Sequence, residues 1–168
     1  YTLEHSKNWG RYTTYHDYKI NEDWMSGLPG REDFENDIYE AAEQFTKRTH
    51  RRDMDESMGG KFLRYWCSVY KEHDQHGSHN HPNSLIAGTY YPQTSAESSS
   101  IMLEAPWTSH IMHDTLPSVK GGFNYKPNAG DMIMWPSWIN HRVDPQPKTD
   151  IPRIAISFNF DYADYHND

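Results

Sequence analysis

From Lys61 onward the chain is a succession of short, β-prone segments cut apart by turns. "KFLRYWCSVY", "SLIAGTYY", "SSIMLEAPW", "GDMIMW", "INHRV" and "RIAISFNF" follow one another, with Pro and Gly separating most of them. Several short strands with such turn signals imply a β-sandwich or a barrel. The last segment alternates most cleanly. Ile154, Ile156, Phe158 and Phe160 point one way, and Arg153, Ala155, Ser157 and Asn159 the other. The first set is a packing face. The second carries a charge, a hydroxyl and an amide, which suits either a solvated strand or the wall of a polar pocket.

Composition agrees with a mainly β fold. Aromatics make up 14% of the chain, with twelve Tyr and six Trp, while aliphatic residues are sparse. A length of 168 residues fits a single domain with its own core. Residues 1–60 read as an N-terminal arm and supporting helix, and 61–162 as the β core. Residues 1–32 are polar, dotted with aromatics and punctuated by "SGLPG", as in an irregular arm with short strands. In "REDFENDIYEAAEQFTKRTH", Phe34, Ile38, Ala41 and Phe45 share one helical face. Acidic residues crowd its start, and Lys47, Arg48 and His50 its end, as the helix dipole favours. One helix over 33–49 is expected, and "MGG" at 58–60 resets the chain.

Charge and cysteine content exclude several functions. The net charge is −8 with no block of like charges, which disfavours nucleic acid and an anionic membrane surface. No run of 18 apolar residues could span a bilayer, and no secretory leader is visible. The single cysteine, Cys67, allows no disulfide within the chain. A buried thiol in a reducing, cytoplasmic setting is the expectation.

The chemistry concentrates in "HGSHNHPNSLIAGTYYP", residues 76–92. His79 and His81 are two apart, so in an extended chain both face the same side. A metal would need a third ligand, and His141 in "AGDMIMWPSWINHRV" is the best candidate. The order is His-x-His, then about sixty residues, then His, then Arg153 twelve further on. Imidazoles on the inner wall of a small barrel, with open positions left, suit a catalytic Fe(II). His73 and His76 are expected to be solvated loop residues. His110 and His113 in "SHIMHD" have a spacing that can bind metal on a helical turn, but nothing nearby completes a site. Trp107, Trp135 and Trp138 are expected in the core or at the barrel rim. Glu104 is either a surface carboxylate or the most plausible acidic ligand.

Taken together, "HNHPNSLIAGTYYP", "NAGDMIMWPSWINHRVDP" and "RIAISFNF" resemble the 2-oxoglutarate/Fe(II)-dependent dioxygenase superfamily. Within it, the chain is most similar to an oxygenase family with the motif H-x-H-P-x-S. A strand ending in Tyr follows, then G-x-x-x-x-F/W-P-S-W-x-x-H and R-x-x-x-S-x-N. The resemblance covers residues 61 to 162. It implies a double-stranded β-helix, a jelly-roll, cupin-like barrel of two facing sheets with supporting helices. It also implies Fe(II), 2-oxoglutarate and O2, and hydroxylation of an unactivated C–H bond with release of succinate and CO2. His79 then matches the first iron ligand and His141 the distal one. Arg153 matches the arginine that pairs with the far carboxylate of 2-oxoglutarate, and Tyr91 the tyrosine that gives that carboxylate a hydroxyl donor. Ser157 and Asn159, on the Arg153 face, would line the same pocket.

One position departs from the superfamily, which mostly has a carboxylate where His81 stands. Either three imidazoles hold the metal, or His81 stands behind it and Asn83, Glu104 or water fills the place. Residues 1–32 and the loop at 93–122 are the expected lid. Two other readings share the fold: a three-histidine cupin-type dioxygenase that uses no keto acid, and a non-catalytic jelly-roll binding module. The substrate, small molecule or peptide, is not written in the sequence.

Overall fold

The computed structural model describes residues 5–6, 11–15, 25–50, 62–105 and 122–161. Two short strands come first, β1 (His5–Ser6) and β2 (Arg11–Thr13), then the helix α1 (Arg31–His50). Eight strands follow: β3 (Phe62–Tyr70), β4 (His76–His79), β5 (Ser84–Gln93), β6 (Ile101–Glu104), β7 (Gly122–Tyr125), β8 (Met132–Pro136), β9 (His141–Val143) and β10 (Arg153–Asp161). They form a six-stranded sheet in the order β1-β2-β3-β10-β5-β8 and a four-stranded sheet in the order β4-β9-β6-β7. Every pairing is antiparallel. From β3 onward the chain passes back and forth between the sheets, except that β6 and β7 pair as neighbours in the small one, and this is the winding of a double-stranded β-helix. No helix among the described residues is long and apolar enough to cross a membrane.

The alternation of β10 is answered by two separate cores. Phe158 and Phe160 pack with Ile86 of β5 against Ile38 and Ala42 of α1, all fully buried. Completely burying side chains of this size contributes about 1.5–3 kcal/mol each. The helix therefore covers the outer face of the large sheet. Ala155, on the opposite face of β10, joins Tyr70, Ala87, Tyr91 and Trp135 of the large sheet and Ile101 and Val143 of the small one. That second core fills the space between the sheets. Arg153 and Asn159 share the face of Ala155 and are 1% and 2% exposed. The polar side of β10 thus lines the barrel interior, not solvent.

Local chemistry explains the helix. Gly30, at φ 78°, turns the chain in, and its carbonyl accepts the Phe34 amide at 3.0 Å. Glu32 and Asp33 occupy the first turn, and Arg31–Glu35 and Lys47–Glu43 pair one turn apart.

One expectation needs correction. The stretch 93–122 is not one lid loop: β6 sits within it, β7 starts at its end, and both are paired strands of the small sheet, while 106–121 lies outside the described residues. The arm carries short strands, as expected of it: β2 extends the large sheet beside β3, with Tyr12 opposite Val69 and Thr13 opposite Ser68. Finally, β4 and β7 are strands that hydrophobic alternation does not announce.

Candidate metal centre

His79 and His141 are placed by strand register. They stand directly opposite each other where β4 pairs with β9, and their ring centroids are 4.2 Å apart. His81 stands two residues past the end of β4. Its amide donates to the Ser137 carbonyl at 3.0 Å, which ties it to the turn that leads into β9. Its Nε2 lies 3.3 Å from His141 Nε2. One ligand atom from each of the three rings falls within 4.8 Å of the others. An ion bonded at about 2.1 Å holds its ligands no more than about 4.2 Å apart. Binding therefore needs only small movements.

Hydrogen bonds fix the tautomers of two of these rings. His79 Nδ1 is 2.8 Å from the Gly77 carbonyl oxygen, and His141 Nδ1 is 3.1 Å from that of Ile139. A carbonyl only accepts, so each Nδ1 carries a proton and each Nε2 keeps its lone pair. That is the arrangement a metal-binding imidazole requires. The donor set fits a borderline divalent ion such as Fe(II). Trp135 meets the His141 ring edge-on at 4.8 Å, and Trp66 lies 5.9 Å from the His81 ring, so aromatic walls flank the cluster.

Arg153 opens β10 and reaches the same cavity. Its guanidinium lies 4.7 Å from the centre of the Tyr70 ring and 5.0 Å from that of Tyr91. Nη2 donates a long hydrogen bond, 3.5 Å, to the Tyr91 hydroxyl. Nε and Nη1 are buried with no hydrogen-bond partner among the described residues. A planar fork with free N–H groups is the natural receptor for a carboxylate. Burial pushes the Tyr91 phenol up to about 12, with the Arg153 charge pulling the other way. It therefore remains protonated and can donate. Ser157 lies 3.3 Å from Thr89, hydroxyl to hydroxyl, on the same wall. No carboxylate is among the described residues that line this cavity.

The sequence-derived candidates sort as follows. His79, His81 and His141 converge, and Arg153, Tyr91 and Ser157 share their interior. Asn159 stands elsewhere than expected: its amide Nδ2 is 3.1 Å from His81 Nδ1, so it serves a histidine and not the Arg153 pocket. His76 is not a solvated loop residue. Its ring lies 3.7 Å from that of His79 and lines the cavity, because a register shift in β4 breaks the two-residue alternation. His73 does lie exposed, next to Glu72. Glu104 is no metal ligand: its carboxylate accepts from Ser78 at 2.8 Å and Arg142 at 2.9 Å, outside the histidine cluster. Asn83, at φ 67°, is an exposed turn residue. Trp135 is core, whereas Trp138 is 56% exposed. His110, His113 and Trp107 lie outside the described residues. Tyr70, Trp66 and Thr89 were not anticipated; only their place on the inward face of a strand could have marked them.

Similarities to known proteins agree with this geometry. A family profile described as "Putative 2OG-Fe(II) oxygenase" matches residues 64–159. No curated protein matches in sequence. A prolyl-4-hydroxylase of Pseudomonas putida has a similar structure, with a TM-score of 0.60 at 12% identity, over 95% of this chain and 77% of that one. An oxidoreductase of the 2OG-Fe(II) oxygenase family from Burkholderia pseudomallei gives 0.46 at 11% identity, over 60% of this chain and 44% of that one. A cupin domain from Bordetella pertussis gives 0.37 at 13% identity, over 58% and 79%. At such identities the first likeness is one of fold. The profile match spans more than half of the 168 residues, and with the histidine cluster at its centre it makes this chain a member of that 2OG-Fe(II) oxygenase family.

Proposed function

We propose that this protein is an oxygenase that uses Fe(II), 2-oxoglutarate and O2 to hydroxylate a C–H bond, releasing succinate and CO2. The observation that carries this reading is one cavity that joins three convergent imidazoles to a buried arginine with free N–H groups. The bound iron, with its keto acid and O2, supplies the oxidising power.

The remaining work belongs to the chain. His79, His81 and His141 hold the metal through Nε2, leaving open positions for exchangeable ligands. Arg153 receives the far carboxylate of 2-oxoglutarate through two N–H groups, and Tyr91 donates its hydroxyl to the same group. Tyr70 and Tyr91 keep the guanidinium in place by facing it with their rings. Trp66, Trp135 and Ile101 exclude water from the cavity, which a strong oxidant requires.

An anaerobic titration tests this. Fe(II) is added to metal-free protein, then 2-oxoglutarate, while the visible spectrum is recorded. A charge-transfer band that needs both components is the expected result. Iron binding without such a band would favour a three-histidine centre that uses no keto acid. No iron binding would leave a non-catalytic barrel.

A further inference from the structure

Trp135 is a core residue with an unmatched donor. It sits on β8, is 3% exposed, and lines the cavity that holds the histidines and Arg153. Its indole Nε1 is buried and has no hydrogen-bond partner among the described residues. An indole nitrogen only donates, and burying such a donor unmatched is unfavourable. A phenylalanine ring would serve packing alone without that penalty.

Strand register says where in the cavity this donor stands. Trp135 is opposite Ala87 of β5, and Ala87 is opposite Asn159 near the end of β10. Arg153 is the first residue of β10, opposite Tyr70. Trp135 and Arg153 therefore belong to opposite ends of the barrel interior. The Trp135 ring meets that of His141 at 4.8 Å, so its end is the metal end. The Thr89 and Ser157 hydroxyls, on the wall between, lie within reach of each other. Unmatched N–H groups thus stand at both ends, Arg153 Nε and Nη1 at one and Trp135 Nε1 at the other. No carboxylate among the described lining residues accepts them. A ligand with acceptor oxygens at both of its ends fits that pattern. We infer that Trp135 binds the keto-acid end of 2-oxoglutarate, its indole N–H donating to the carboxylate beside the keto group while Arg153 takes the far one. This rests on the reading of the cavity as a 2-oxoglutarate site. Held at two points, the ligand has one direction in the cavity: keto acid to the histidines, far carboxylate to Arg153.

Zinc(II) in place of iron keeps the protein diamagnetic and stops turnover. Indole N–H NMR of the zinc-loaded parent is expected to show one of the six tryptophan signals moving downfield on adding 2-oxoglutarate, a signal that Trp135→Phe lacks. Binding is then compared for 2-oxoglutarate and for pyruvate, which has the keto-acid end but no second carboxylate. Trp135→Phe should weaken both about 10–150-fold, as losing a hydrogen bond to a charged group does, with zinc affinity unchanged. Arg153→Met should weaken 2-oxoglutarate and leave pyruvate as it was. A Trp135 signal that stays still when 2-oxoglutarate binds, as it would with only a water at Nε1, would overturn the inference. So would affinities in Trp135→Phe equal to those of the parent. A loss confined to 2-oxoglutarate would move the contact to the far carboxylate and overturn the assignment of ends. Should Trp135→Phe fail to fold, the indole proton is identified by its proximity to the His141 ring, and its shift alone decides. A zinc-loaded parent that takes up neither acid would refute the reading of the cavity as a 2-oxoglutarate site, and this inference with it.

Discussion

A guanidinium that is 1% exposed, with two of its nitrogens unmatched among the described residues, is costly to keep inside a barrel. Arg153→Met removes that cost and loses only the contacts with the Tyr70 and Tyr91 rings. The unfolding midpoint of the ligand-free variant is expected to match or exceed that of the parent. The rise in midpoint on adding 2-oxoglutarate, worth about 2.7 kcal/mol at a hundred times Kd, should vanish. Thermal scans with and without the keto acid check both. Cys67 gives a second expectation. Burial pushes its thiol up to about 11, so almost no thiolate exists near neutral pH. Alkylation of the native protein should be far slower than for a free thiol at pH 8, and should go on rising with pH up to about 11, where a free thiol has already levelled off. At this scale the metal-binding candidates were legible because chemistry restricts them: few residue types bind iron, and His79, His81 and His141 are the ones in family order. His76 and Asn159 were not, since a bulge and a side-chain amide's choice of partner are written in no spacing rule.

Strand β10 shows what period-two reading can and cannot give. Its two faces were plain from the alternation of Phe158 and Phe160 with Ser157 and Asn159. Which face looked inward was not, because both are buried: one under α1, one between the sheets. Gly88, opposite Phe158 in β5, leaves no room for a side chain. A Cβ there would collide with the Phe158 ring and press on the Ile133 carbonyl. Gly88→Ala should therefore destabilise by about 1–3 kcal/mol, as overpacking does. Phe158→Leu should cost more alone but less in the Gly88→Ala background. A double-mutant cycle in denaturant measures that coupling. Strand β7 escaped notice for the opposite reason. It is the edge of the small sheet, and in "GFNY" Phe123 is 61% exposed, so no buried face imposes a pattern.

Across the molecule, the site draws on both sheets. The small sheet supplies His79 and His141, and the large sheet supplies Arg153, Tyr91 and Asn159. With three neutral imidazoles and no carboxylate among the described lining residues, a divalent ion beside Arg153 leaves the cavity strongly positive. A dicarboxylate relieves that charge. Fe(II) and 2-oxoglutarate should therefore each tighten the other's binding, about 5–150-fold as such couplings run. Calorimetry of each with and without the other measures it, and independent binding would argue against the shared cavity. The barrel was legible at this scale because turn-separated strands permit few architectures. The position of β10 has one more consequence. It fills the gap between β3 and β5, yet it is made about sixty residues after β5 is complete. Until then two strand edges stand open and neither the arginine nor the amide behind His81 exists. The nascent barrel must wait for this strand, exposed to mispairing until it arrives.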